Sequence, residues 1–436
     1  MSPGNETVAE AVRTRRSRAL RLSMPPLLRD VVFRRYWGAS TVSLFGDQIS
    51  SIAVPLAAVL VLHATAGAMG LLTALEWLPS LLFGMHAGAW ADRRGKRRQT
   101  MIAADLGRAA LMATIPVCYA LHVLTLAQMF AVTFAAGTLA ILFNVSDSTL
   151  FVSIVAADRY VDGQSLLNGS RAMSYVGGPS VGGLLAQLLS APFAIAADAL
   201  SFLGSAFFLS RIRPAEPPPD DRPGGVTAGL RFIARSPIVR ASLTAVAIVN
   251  LFDLMFLALF TLYAVRTLHV RPGVLGAVLG AGAVGGVLGS MLTKRIAARV
   301  GVGVGVGKAY VAGCLLFTAP LALVPLAPLN RSPLVLVMLF GAEFMSGFGV
   351  MLLDISIGSI FAVVIPDTMR SRVTGAFQAI NYGTRPVGAL LGGLLGTTLG
   401  LRTALWIAVA GAVLGALVLL PSPLPRFRMP SGTSRA

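Results

Sequence analysis

The stretch Gly88-Ala-Trp-Ala-Asp92-Arg93-Arg94-Gly95-Lys96-Arg97-Arg98 decides how this chain is read. It is a short, strongly basic turn set between two long apolar runs. Lys and Arg beside a membrane span mark its cytoplasmic side. Gly88 and Gly95 permit close packing and a tight turn. Asp92 is the one acid in the turn, which points to a specific partner for it.

The rest of the chain agrees with a membrane setting. It has 436 residues, 55% hydrophobic and 12% charged, with mean hydropathy +0.76. Repeated apolar runs of about 20 residues predict membrane-spanning helices. Twelve such runs lie between 36 and 421, so both termini fall on one side. Lys and Arg concentrate on the side of the N-terminus; the other side carries Arg266, Arg271, Arg331 and Arg402. That bias places both termini in the cytoplasm. The net charge of +18 therefore follows topology, and nucleic acid is not an expected partner. Residues 1–35 are basic and lack the apolar core of a signal peptide, so a cytoplasmic tail is expected there. Cys118 and Cys314 lie within apolar runs and read as small core residues.

The predicted fold class is all-α integral membrane, with twelve transmembrane helices in two pseudo-symmetric six-helix halves around a central cavity. The halves are expected at 36–210 and 240–421, with a linker at 211–239 and a second tail at 422–436. Pro214, Pro217, Pro218, Pro219, Asp220, Asp221, Pro223, Gly224 and Gly225 make the linker stiff and polar. After them, Gly229-Leu-Arg-Phe-Ile-Ala-Arg235 fits either a short helix on the membrane surface or a plain loop. An internal repeat supports the division. Adding 206 maps Asp47 to Asp253, His63 to His269, Gly67 to Gly273 and Gly70 to Gly276; adding 207 maps Tyr175 to Tyr382 and Pro179 to Pro386.

An ionisable group at membrane depth is costly and usually faces a cavity or a partner. Asp47 in helix 1, Asp253 in helix 7 and Glu343 in helix 10 are such groups. Each is either a proton carrier, since loss of water favours the protonated carboxyl, or a structural carboxylate held by Arg, Asn or backbone. Glu76 and Asp354 are weaker candidates. Arg171 in helix 5 and Arg385 in helix 11 are the matching cations, suited to an anionic substrate group or to neutralising an acid. Asp105 and Arg108, at i and i+3 on helix 3, are expected to pair with each other or to brace the basic turn. Tyr175, Tyr382, Phe252, Phe256 and Met255 either line the cavity or simply pack. Helix 5 also holds Gly178-Pro179-Ser-Val-Gly182-Gly183, where proline bends the helix and the glycines admit a close neighbour. No metal site or cofactor is expected: the four histidines lack ligand spacing, and Gly301–Lys308 misses the glycine and Ser/Thr positions of a phosphate loop. No catalytic constellation is visible, so an enzyme is not expected.

The pattern G-x-x-x-D-R-x-G-K-R at 88–97 resembles the loop between helices 2 and 3 of the major facilitator superfamily, with Trp90 where a smaller aliphatic residue is usual. The helix-5 motif resembles the signature of exporters and antiporters in that superfamily, although Ser165 and Ser174 stand where it has further glycines. Ser43-Leu-Phe-Gly-Asp47, Gly229-Leu-Arg-Phe and Tyr382-Gly-Thr-Arg-Pro386-Val-Gly388-Ala-Leu-Leu-Gly-Gly393 look most like the branch of siderophore and macrolide exporters. The resemblance implies a monomeric secondary transporter in a bacterial cytoplasmic membrane. It would export a small, largely apolar organic molecule in exchange for protons. It also implies a gating loop of Gly88, Asp92, Arg93, Gly95, Lys96 and Arg97, with Asp92 meeting helix 11 near Arg370 and Arg372 when the cytoplasmic side is closed. An importer or uniporter on the same fold, or a non-transporting sensor, is the alternative.

Overall fold

The computed structural model describes residues 25–214, 226–300, 305–330, 332–366 and 369–427; the side chains of 85–94, 226–228, 293–300 and 371 lie outside that description. Twelve long helices form the body: α1 Val31–Leu60, α2 Ala66–Arg94, α3 Arg97–Ala120, α4 Leu126–Ile154, α5 Tyr160–Leu189, α6 Ala191–Ser210, α7 Pro237–Arg266, α8 Pro272–Val300, α9 Val306–Thr318, α10 Pro333–Val364, α11 Arg370–Thr398 and α12 Leu401–Leu417. Several begin at a side-chain cap. Asp30 accepts from the backbone N–H groups of Val32 and Phe33, and Thr125 and Ser332 start α4 and α10 in the same way. Pro320 and Pro325 break the end of α9 into a 3-10 turn and one further α turn.

Among the described residues, nine helices are long and apolar enough to cross a membrane by length and composition. The three that fall short are informative. α12 is apolar but has only 17 residues. α5 carries Asn168, Ser170, Arg171 and Ser174, and α11 carries Asn381, Thr384 and Arg385. Polar residues on a helix inside a bundle are tolerated where they face protein or a cavity rather than lipid.

The first half packs α1 on α5 and α6, α3 on α4 and α6, and α2 on α4; the second packs α7 on α11 and α12, and α10 on α8 and α9. The halves meet along α5 with α8 and α2 with α11. The repeat seen in the sequence is a repeat of backbone. His63 and His269 both have positive φ, 51° and 54°. The N–H of Ala64 bonds the Ala58 carbonyl and that of Val270 bonds the Ala264 carbonyl, both at 2.9 Å. In helices 5 and 11 the register differs from the expected one. Gly183 occupies the crossing that Gly393 occupies, and Ser190 and Gly400, each with positive φ, close the two helices. The offset there is 210 (393 minus 183) rather than 207. Pro179 thus corresponds to Ala389, and Arg171 and Arg385 are not equivalents.

The basic turn is tighter than expected. With no helix breaker after Gly88, α2 continues to Arg94, and the chain reverses at Gly95 (φ 63°) and Lys96 before α3 starts at Arg97. The side chains of Gly88, Asp92 and Arg93 lie outside the described residues, as does the linker at 215–225. The linker's end is a helix, Val226–Arg235, and it packs on the protein. Ile233 is buried with Val239, Val373 and Ala376, and the Gly229 backbone lies directly on the Arg372 carbonyl of α11.

Candidate functional site

Among the described residues, the closest backbone approaches between the two halves lie toward one end. Gly70 of α2 lies on Gly393 of α11, so close that a Cβ at Gly70 would stand 2.7 Å from the Gly393 Cα. Gly183 of α5 lies on Gly276 of α8 in the same way, at 3.0 Å. The Gly273 N–H donates to Gln187 Oε1 at 3.1 Å, and Arg266 of α7 reaches the Val59 carbonyl of α1 at 3.4 Å. These contacts lie at the end opposite the basic turn. Toward the basic end the helices part. Leu81 still meets Gly383 at 3.3 Å, but Gly169 of α5 and Gly375 of α11 have no atom within 4 Å of a Cβ position. A space between the halves therefore opens toward the basic end.

At the floor of that space, near the middle of α2 and α11, a cation is held by aromatic rings. The guanidinium carbon of Arg385 stands 4.0 Å from the ring centroid of Trp77 and 4.8 Å from that of Tyr382. The two rings are 6.0 Å apart. Arg385 Nη2 also donates to Asn250 Oδ1 of α7 at 3.4 Å. The charges of Asp253 and Glu76 act on the same guanidinium, Asp253 from its own half and Glu76 from across the gap. Glu76 is exposed. Chemically, this is a mid-depth chamber with an aromatic wall, one fixed cation and two carboxylates.

The five ionisable candidates separate into three places. Arg385 and Asp253 share the chamber, and the charge of Asp253 reaches Glu343, which lies against Gly282 in the α8–α10 packing. Asp47 is elsewhere: it bonds Arg108 inside the first half, in contact with α3 rather than with Arg385. The expected Asp105–Arg108 pair does not form, because tertiary packing offers Arg108 the α1 carboxylate. Arg171 is exposed on α5, where its charge reaches Asp147, which accepts from the Tyr36 hydroxyl at 2.7 Å. Of the aromatic candidates, Tyr382 lines the chamber. Met255 and Phe256 are core, and Phe252 packs on Gly411 of α12. Within α5, Gly178 packs on Gln48 and Gly182 on Ile49 of α1, while Pro179 and Gly183 meet α8.

Trp77, Asn250 and Asp198 escaped the sequence reading. Asp198 had a signal: it is a lone acid in the apolar run of helix 6. Trp77 and Asn250 had none, since either reads equally well as packing.

Residues 23–435 match the family described as transmembrane secretion effector. No curated protein matches the chain. Similar solved structures include a bacterial homologue of the iron transporter ferroportin in an inward-facing state, with TM-score 0.71, 16% identity, and coverage of 91% of this chain and 99% of that one. The nucleoside transporter NupG is similar at TM-score 0.69 and 12% identity, over 90% of this chain and 98% of its own. A bacterial homologue of the lysosomal transporter Spinster, inward-facing and unoccupied, gives TM-score 0.69 and 13% identity, over 93% and 98%. The match over nearly the whole length, on this helical frame, makes the chain a member of the transmembrane secretion effector family of the major facilitator superfamily, and a membrane transporter rather than an enzyme.

Proposed function

We propose that this transporter exports a small, largely apolar organic molecule, of the drug, antibiotic or siderophore class, by exchange with protons. The observation that carries this reading is the chamber at Trp77, Tyr382 and Arg385, which opens toward the basic end. With the basic end in the cytoplasm, as the Lys and Arg bias implies, the observed state loads from the cytoplasm. Flat aromatic walls accept apolar or planar cargo by area and stacking. Arg385 suits a carboxylate or phenolate on such cargo, and Asp253 and Glu76 suit protons or a cationic group.

Transport then follows from rocking the halves about the chamber. The glycine crossings seal the outer end now and part when the cytoplasmic end closes. In the closed state Asp92 meets the start of α11 near Arg370, where the helix dipole favours an acid. The protein works as a monomer in a bacterial cytoplasmic membrane, with both termini inside and with lipid as its other partner. Import on the same frame is the competing reading; a structural relative named a nucleoside transporter shares the fold at low identity.

Everted membrane vesicles test the direction. Energised vesicles carrying the protein should accumulate a fluorescent lipophilic antibiotic, and dissipating the proton gradient should release it. Accumulation only in right-side-out vesicles would make the protein an importer.

A further inference from the structure

Away from the chamber, inside the first half, three carboxylates surround one guanidinium. Asp47 comes from α1, Asp105 and Arg108 from α3, and Asp198 from α6. Arg108 bonds Asp47, and its guanidinium carbon lies 3.9 Å above the Phe202 ring. Asp105 and Asp198 are both 0% exposed. Asp198 Oδ1 accepts from the Ser201 hydroxyl at 3.1 Å. Asp198 Oδ2 and both oxygens of Asp105 have no hydrogen-bond partner among the described residues. The hydroxyls of Ser50 and Ser205 are aimed at Asp198 and Asp105, but neither reaches full hydrogen-bond geometry. The α1 backbone at Gly46 presses on Asp198 and Ser201, leaving no room for a side chain.

An ionised carboxylate without counter-charge or hydrogen bonds is costly at membrane depth. Here one guanidinium balances one of three carboxylates. The other neighbours add negative charge. Asp198 is faced by Asp47 and Arg108, and Asp105 by Arg108, Asp47 and Asp147 of α4. No three His, Cys, Asp or Glu side chains among the described residues are placed to hold a metal ion. Protons are the counter-charge that fits. Asp47 is the cluster's outward member: its side chain is 36% exposed against 9% for Arg108, and its charge reaches Glu76 of α2, whose charge also acts on Arg385.

We propose that Asp198, with Asp105 beside it, forms an occluded proton-binding site inside the first half, reached from the chamber through Asp47. A proton from water in the chamber adds to the Asp47 carboxylate and breaks its bond to Arg108. Passing to ionised Asp198, it leaves Asp47 charged and restores the pair, and the guanidinium keeps its charge throughout. The site's part in coupling rests on the export reading above; its occupancy does not.

Infrared difference spectroscopy of the full-length protein in lipid nanodiscs tests occupancy without any substrate. At neutral pH the wild type should show a protonated-carboxyl band that is absent from Asp198→Asn and present in Asp253→Asn. Ser201→Ala, which removes the hydroxyl donor but no charge, should shift that band. Asp198→Glu should restore a displaced one. If Asp198→Asn fails to fold, the Ser201→Ala shift decides. An ionised-carboxylate signal lost in Asp198→Asn, or no band shift in Ser201→Ala, overturns the proposal. The two readings fail separately. The expected band with flux that ignores a proton gradient overturns proton-driven export and keeps the site. Gradient-driven flux with no such band does the reverse.

Discussion

Arg385 of α11 rests on the face of Trp77 of α2, with 4.0 Å between the guanidinium carbon and the ring centroid, so a cation of one half is held by an aromatic ring of the other. A desolvated cation–π contact of this kind is worth about 2 kcal/mol. It bridges the two bodies whose relative motion defines transport.

Removing either partner should therefore weaken cargo binding, and removing both should cost less than the sum. A double-mutant cycle on Trp77→Ala and Arg385→Ala, read by cargo affinity, should give a coupling of about 1–2 kcal/mol. Arg385→Lys should behave nearly as Arg385→Ala, because ammonium lacks the planar face that stacks on both rings. Strictly additive losses would separate the two residues functionally.

The glycine crossings should govern which end is open. A side chain at Gly276 has no space, because the Pro179 carbonyl and Gly183 already fill it. Gly276→Val, and independently Gly70→Val, should push the sealed end apart. Overpacking of this kind costs about 1–3 kcal/mol, enough to invert a two-state population. Spin labels placed on α2 and α11 at the sealed end should move apart in both variants. Unchanged distances would mean that the crossings do not set the state.

Asp47→Asn should destabilise the protein by about 1.5–3 kcal/mol, since it removes the charged hydrogen-bond partner of the Arg108 guanidinium while Asp105 and Asp198 stay nearby. Adding Arg108→Gln should recover much of that loss. Thermal unfolding in detergent reads both. A lone Asp47→Asn as stable as the wild type would mean that Arg108 finds another acid without cost.

Gly229→Val should detach the short helix Val226–Arg235 from α11, because the Arg372 carbonyl occupies the place of its Cβ. Limited proteolysis should then cut between the halves at least about tenfold faster, as expected when local opening loses roughly 1.4 kcal/mol or more. Unaltered cleavage would mean that Gly229 is not the anchor.

Much of this architecture was legible in the chain, for identifiable reasons. Long apolar runs and the Arg-rich turn at 93–98 report the bilayer directly, and Asp47 with Asp253 reports duplication. Partner choice was not legible. Asp105 and Arg108 stand at pairing distance along one helix, yet Arg108 bonds Asp47, because α1 and α3 both pack on α6, and that shared seat decides which acid it meets. Helices 5 and 11 were aligned on their prolines, while the crossings align Gly183 with Gly393. Identity weighs a proline heavily; close packing is decided by whichever small residue faces the neighbour. The linker helix could be proposed from its sequence, but its seat on α11 depends on the Gly229–Arg372 approach.

Proton exchange is the central claim, and simultaneous flux recording tests it most directly. Purified protein would be reconstituted into liposomes with a trapped pH indicator, and a lipophilic antibiotic added without any imposed gradient. The account predicts that antibiotic moving in one direction drives protons in the other, and that Asp253→Asn abolishes the proton signal. Antibiotic flux with no proton movement, or with protons moving alongside it, would contradict the account.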